Sequence, residues 1–98
     1  MRKVISRQEA HLDFRDALDW YKEKQDRLAA DFLRELQAAM GYVTSNPYLF
    51  QLRTADIRWA RLNRFPFVVV YHIDPAGSIR LLAIFHTSRD PGTLKARS

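Results

Sequence analysis

Arg61-Leu62-Asn63-Arg64-Phe65-Pro66-Phe67-Val68-Val69-Val70-Tyr71, followed by Ile84-Phe85-His86-Thr87-Ser88-Arg89-Asp90-Pro91, decides how this chain folds. The first stretch reads as a strand that begins among arginines. The second reads as the end of another strand, leaving in a polar His-x-x-Arg-Asp-Pro sequence. β-branched and aromatic residues crowd both stretches, and Asn, Pro and Asp bound them. Outward from this block the pattern predicts strands near Asp56–Asn63, Pro66–Asp74 and Ser78–His86. Asp74-Pro75-Ala76-Gly77 supplies the turn between the last two. Phe67, Val69, Tyr71 and Ile73 alternate with Val68, Val70 and His72; Ile79, Leu81, Ala83 and Phe85 alternate with Arg80, Leu82, Ile84 and His86.

Both faces of these strands are apolar, whereas an antiparallel sheet with one wet face alternates apolar and polar residues. The first half of the chain offers cover for one face only. Arg2–Ile5 is a short strand, and Ser6-Arg7-Gln8-Glu9 has the pattern of a capping box. A helix follows, with Ala10, Phe14, Ala17, Leu18 and Tyr21 on one side. Asp26 is placed to cap a second helix, whose stripe is Leu28, Phe32, Leu36, Met40 and Val43; Ser45-Asn46-Pro47 ends it. Residues Pro47 to Ala55 read as an irregular loop. The expectation is an α+β domain, a helical hairpin packed on a small antiparallel sheet in the order β-α-α-β-β-β. The second sheet face then exposes an apolar strip to a partner segment, or is covered by the Pro47–Ala55 loop and the C-terminal tail.

Ninety-eight residues make one small domain. The absence of cysteine fits a reducing compartment. The N-terminus turns polar too soon for a signal peptide, and the longest apolar run, Phe65 to Tyr71, is too short to cross a bilayer as a helix. Charge is unevenly divided. Residues 1–50 hold eight basic and eight acidic side chains, while residues 51–98 hold eight basic against three acidic, the whole +5 excess. Charges that merely solubilise a surface are mixed in sign, as they are in the first half. The one-sided excess points to an anionic partner, nucleic acid or an acidic protein segment; a solvated basic surface is the alternative.

The order Arg61…Phe65-Pro66-Phe67…Tyr71 and then His86…Arg89-Asp90-Pro91 resembles the RelE/ParE toxins of bacterial type II toxin–antitoxin systems. Trp20-Tyr21, Phe32-Leu33-x-x-Leu36 and Asn46-Pro47 extend the resemblance over the helical half. The resemblance implies one toxin domain spanning residues 1–98, the plasmid-stabilising kind of system and neutralisation by a cognate antitoxin, while composition leads to the expectation of a cytoplasmic protein. No cofactor, metal or membrane partner is expected. The target the resemblance implies is DNA gyrase for a ParE-like member, or the ribosome and its mRNA for a RelE-like endonuclease. A non-toxic interaction module is the third reading.

Cleaving RNA without a metal requires a base for the 2′-hydroxyl, an acid for the leaving oxygen and cations around the phosphate. In a nuclease the catalytic candidates are His86, with Arg89, Arg61 and Arg64 for the phosphate. The other reading of His86 is a hydrogen bond in the terminal turn of the sheet, and of Arg89 an ion pair with Asp90 or Asp56. Target- or partner-binding candidates are Arg58, Trp59, Arg61, Arg64, Arg80 and Arg89, with Trp59 also a candidate for core packing. His72, mid-strand, and His11, on the charged helix surface, are not catalytic candidates. The histidines and scattered aspartates lack metal-ligand spacing. Positions 51–94 hold no lysine, no glutamate occurs beyond residue 50, and no tyrosine follows Tyr71. His86 and arginines alone are a poor set for proton transfer, which directs the expectation to the ParE-like branch and to inhibition by binding.

Overall fold

The computed structural model describes residues 2–88. In chain order the elements are β1 (Val4–Ser6), α1 (Gln8–Lys24), α2 (Asp26–Ser45), β2 (Gln51–Thr54), β3 (Ile57–Arg61), β4 (Phe67–Ile73) and β5 (Ile79–His86). They build a five-stranded sheet in the order β1-β5-β4-β3-β2, with the helical hairpin on one face. Two details differ from the expectation. The sheet is mixed, because β1 runs parallel to β5, with Val4 opposite Ile79 and Ser6 opposite Leu81. The stretch expected as a loop also contains β2. Gln51-Leu52-Arg53-Thr54 has no apolar alternation of its own. It becomes a strand because β3 offers backbone partners, Gln51 opposite Trp59 and Thr54 opposite Ile57. The turn between them puts Ala55 at φ 44, where its Cβ is strained.

The helix stripes fall where the spacing places them. Ala10, Ala17 and Tyr21 of α1 are buried, as are Ala29, Phe32, Leu36 and Val43 of α2. They pack against Val69, Tyr71, Ile79, Leu81 and Ile84 of the sheet. Neither expected cap forms. The Arg7 amide donates to the Leu81 carbonyl at 3.0 Å, so β1 keeps its sheet pairing through Ser6 and helix α1 starts from Arg7 with no side-chain cap. Asp26 is already inside α2, behind an extended Gln25, where its carboxylate faces the positive end of the helix dipole.

A register shift between Val70 and Tyr71 leaves Leu82 as the extra residue on β5, since Val70 faces Ala83 and Tyr71 faces Leu81. This bulge reverses the phase of the strand. Ile79 and Leu81, then Ile84, belong to the helix-side core. Leu82, Ala83 and Phe85 join Val68 and Val70 in a second cluster, with Ile57 and Trp59 packed against it. Ala83 and Phe85 therefore do not share a row with Ile79 and Leu81 as simple alternation implied. Of the two readings of the second face, the exposed strip is the one the fold does not have: Val68, Val70, Ala83, Leu82 and Phe85 are all buried.

Tyr71 locks the end of the helical hairpin to the sheet. Its buried hydroxyl donates to the Pro47 carbonyl at 2.6 Å, and burial pushes its pKa up to about 12, opposed by the Arg58 charge. Tyr71→Phe leaves that carbonyl unpaired and should cost about 1–3 kcal/mol in chemical denaturation. The raised pKa means the folded chain holds the phenolic proton after the unfolded chain has lost it. The associated stability is therefore complete below the unfolded value of about 10 and is lost as pH rises through about 12. In Tyr71→Phe that alkaline component should be missing from the pH dependence.

Candidate functional site

The sheet end where β3 leaves, β4 enters and β5 stops gathers several of the residues singled out by sequence. Arg61 is the last residue of β3, exposed and opposite Val68. The buried Leu62 then anchors the connecting loop, its amide donating to the Phe67 carbonyl at 3.0 Å. Within that loop Arg64 is held to α2. Its amide donates to Glu35 Oε1 at 2.6 Å and its Nε to Oε2 at 3.3 Å. His86 stands opposite Phe67, their rings edge to face with centroids 5.0 Å apart. The Ser88 amide donates to His86 Nδ1 at 3.1 Å, and the Ser88 hydroxyl lies 2.7 Å from the same nitrogen. An amide can only donate, so Nδ1 carries the lone pair and the neutral ring has its proton on Nε2. Arg89, the fourth nuclease candidate, lies outside the described residues.

Arg58, Trp59 and Arg80 are not part of this end of the sheet. Arg58 Nη1 donates to the carbonyls of Tyr48 and Phe50, at 3.1 and 2.7 Å, and so fastens the α2–β2 connection. Arg80 Nε donates to Asp74 Oδ2 at 3.0 Å. The Asp74 carboxyl also accepts the Ala76 and Ser78 amides; chiefly the Ser78 bond, with Arg80, holds its pKa below the ordinary carboxylate value. Trp59 is half-buried, with Phe85 at 5.8 Å between centroids and the Arg53 guanidinium 4.5 Å from its ring centre. Its packing on the second cluster is the core role that sequence offered as its alternative. His72 lies 3.8 Å from Asp56.

Sequence reading missed the other wall of the site. A cleft of about 460 Å³ opens between α1 and the ends of β4 and β5, with Asp13, Asp16, Trp20, Phe67, His86 and Ser88 among its lining. Asp13, Asp16, Ala17 and Trp20 share one face of α1 at three- and four-residue spacing, the one signal that marked them in advance. Asp13 Oδ2 accepts the Ile84 amide at 3.1 Å, beside the bulge, which ties α1 to the strand that carries His86. Trp20 is exposed, edge-on to Tyr21, with the Lys24 ammonium 4.9 Å from its ring centre. Among the described residues the cleft lining has two carboxylates and an imidazole but no lysine or arginine. Among the described residues no three His, Cys, Asp or Glu side chains converge as a metal site, and no helix is long and apolar enough to cross a membrane.

Residues 4–91 match the family model described as the ParE toxin of the type II toxin–antitoxin system, parDE. No curated protein matches the sequence. The fold is similar to that of a chain in the solved structure of the chromosomal ParDE toxin–antitoxin system from P. aeruginosa. The TM-score is 0.75 at 16% identity, over 90% of this chain and 98% of that one. At that identity the likeness concerns the fold.

Proposed function

The chain belongs to the ParE toxin family of type II toxin–antitoxin systems, and from that premise we propose that it inhibits DNA gyrase by binding it. A cognate antitoxin neutralises it, and both partners meet it in the cytoplasm. The observation that carries this reading is that two of the nuclease candidates, Arg64 and His86, are already engaged within the fold. Arg64 is tethered to Glu35; Arg58 and Arg80, candidates for binding rather than catalysis, are held by two carbonyls and by Asp74. His86 Nδ1 is occupied by Ser88. Electrostatic stabilisation of a transition state depends on donors already aimed at the developing charge, and these donors are aimed elsewhere. Arg61, exposed at the end of β3, remains a contact for the target.

Expression of the chain in growing cells should produce gyrase-dependent DNA breaks before any fragmentation of mRNA. The RelE-like reading would replace this one if a purified translation system yielded site-specific mRNA cuts that His86→Ala abolishes. Growth unaffected by the chain would favour the non-toxic module.

A further inference from the structure

The positive charge of the second half of the chain is unevenly available. From residue 51 to residue 73 the arginines are Arg53, Arg58, Arg61 and Arg64, and the only acidic side chain is Asp56. Arg58 and Arg64 are held by carbonyls and by Glu35. Arg53 and Arg61 are exposed, and neither pairs with a carboxylate among the described residues. Both belong to the sheet face away from the helices. Trp59 packs there on the second cluster, and the Arg53 guanidinium lies over its ring, 4.5 Å from the centre. Arg61 follows Trp59 by two residues along β3, so alternation puts it on the same face. The two arginines thus bracket Trp59, Arg53 toward the β2–β3 turn and Arg61 toward the loop that leads to β4. A guanidinium stacked on an aromatic ring loses little further freedom on binding, because its plane is already set.

We infer that Arg53 and Arg61 form a two-point contact for the phosphate backbone of duplex DNA, so that the chain touches DNA directly as well as its protein target. The ligand class follows from what this face has and what it lacks. Planar guanidinium forks match phosphate oxygens. An acidic polypeptide would meet the same charges, but this face gives it no apolar anchor. Val68, Val70, Leu82 and Phe85 are buried, and no large hydrophobic side chain of β3, β4 or β5 is exposed. Leu52 of β2 pairs with Arg58 and Arg58 with Tyr71, the row that faces the helices. Unpaired nucleic acid binds by stacking its bases on aromatic rings, and the Trp59 ring already has Arg53 over it and Phe85 at 5.8 Å. A duplex backbone needs neither pocket nor ring. Contacts made to phosphates alone carry no sequence information, and two of them are weak unless a tether raises the local concentration. The inference rests on the gyrase reading for that tether, an enzyme whose substrate is duplex DNA. Asp56, in the β2–β3 turn and 3.8 Å from His72, is the carboxylate that opposes the contact.

The test is fluorescence anisotropy of the full chain with short labelled DNA duplexes of two unrelated sequences, titrated across a range of salt. Both duplexes should bind equally, and the logarithm of affinity should fall with the logarithm of salt at a slope of about −2, as two phosphate contacts require. Arg53→Gln and Arg61→Gln alter exposed positions, so each variant should unfold like the wild type. Each should bind roughly tenfold more weakly, the loss of one charge-assisted hydrogen bond, and should reduce the slope by about 1. Asp56→Asn should tighten binding. Arg15→Gln removes the same charge from an exposed position on α1 and should leave binding unchanged. Absence of binding, a strong preference for one sequence, or undiminished binding by both β-strand variants would overturn the inference. Equal weakening by Arg15→Gln would overturn it too, because binding would then follow net charge alone. A glutamate-rich peptide that binds more tightly than either duplex, and loses affinity in the Arg53 and Arg61 variants, would overturn it in favour of an acidic polypeptide. Gyrase-dependent DNA breaks are scored separately. A chain that binds the duplexes but causes no breaks contradicts the proposed function alone, and one that causes breaks without binding them contradicts the DNA contact alone.

Discussion

Phe32→Ala should destabilise the chain by about 3–5 kcal/mol in chemical denaturation, the range for deleting a fully buried aromatic. Phe32 has no exposed surface. Its ring centroid lies 5.2, 5.5 and 5.4 Å from those of Tyr21, Phe65 and Phe67, so one residue of α2 joins α1, the β3–β4 connection and β4. Truncation removes the apolar contact of all three neighbours and leaves a cavity they cannot easily close. The effect should reach the functional end of the sheet, because Phe65 sits beside Arg64 and Phe67 beside His86. A loss below about 1 kcal/mol would show that this face of α2 is not the one packed on the sheet, since surface substitutions stay within about half that.

Phe85→Ala is the second large effect expected, again about 3–5 kcal/mol. It decides a point on which sequence reasoning was divided. Two apolar faces on one sheet imply either a strip waiting for a partner or a second internal core. The structure has the second: Val68, Val70, Leu82, Ala83 and Phe85 are buried on the face away from the helices, and Trp59 packs on Phe85. An open strip would make Phe85 a surface residue, and its truncation would then cost less than about 1 kcal/mol. Leu52→Ala on the exposed β2 edge is the control, with an expected change within about 0.5 kcal/mol. Comparable small losses in both variants would restore the open face.

Features that depend on local periodicity could be read directly from the chain. The α1 and α2 stripes, the β4 and β5 strands and the Asp74–Gly77 turn were legible because their side chains repeat at the spacing of the element that buries them. The charge division between the halves and the family resemblance were legible for the same reason, being properties of the chain alone. Tertiary structure decided everything that depends on a distant partner. Ser6 has the chemistry of a helix cap, but β5, more than seventy residues away, claims the adjoining backbone first. Gln51–Thr54 carries no strand pattern and is a strand because β3 pairs with it. Leu81-Leu82-Ala83-Ile84 is apolar throughout, so no periodicity could reveal the bulge that turns Ile84 and His86 toward the helices. The arginines are the sharpest case. In sequence Arg58, Arg61, Arg64 and Arg80 are equivalent cations, while in the fold Arg58, Arg64 and Arg80 are held by backbone carbonyls, Glu35 and Asp74. A side chain's charge is written in the sequence, but its availability depends on which oxygen the fold brings within hydrogen-bond reach.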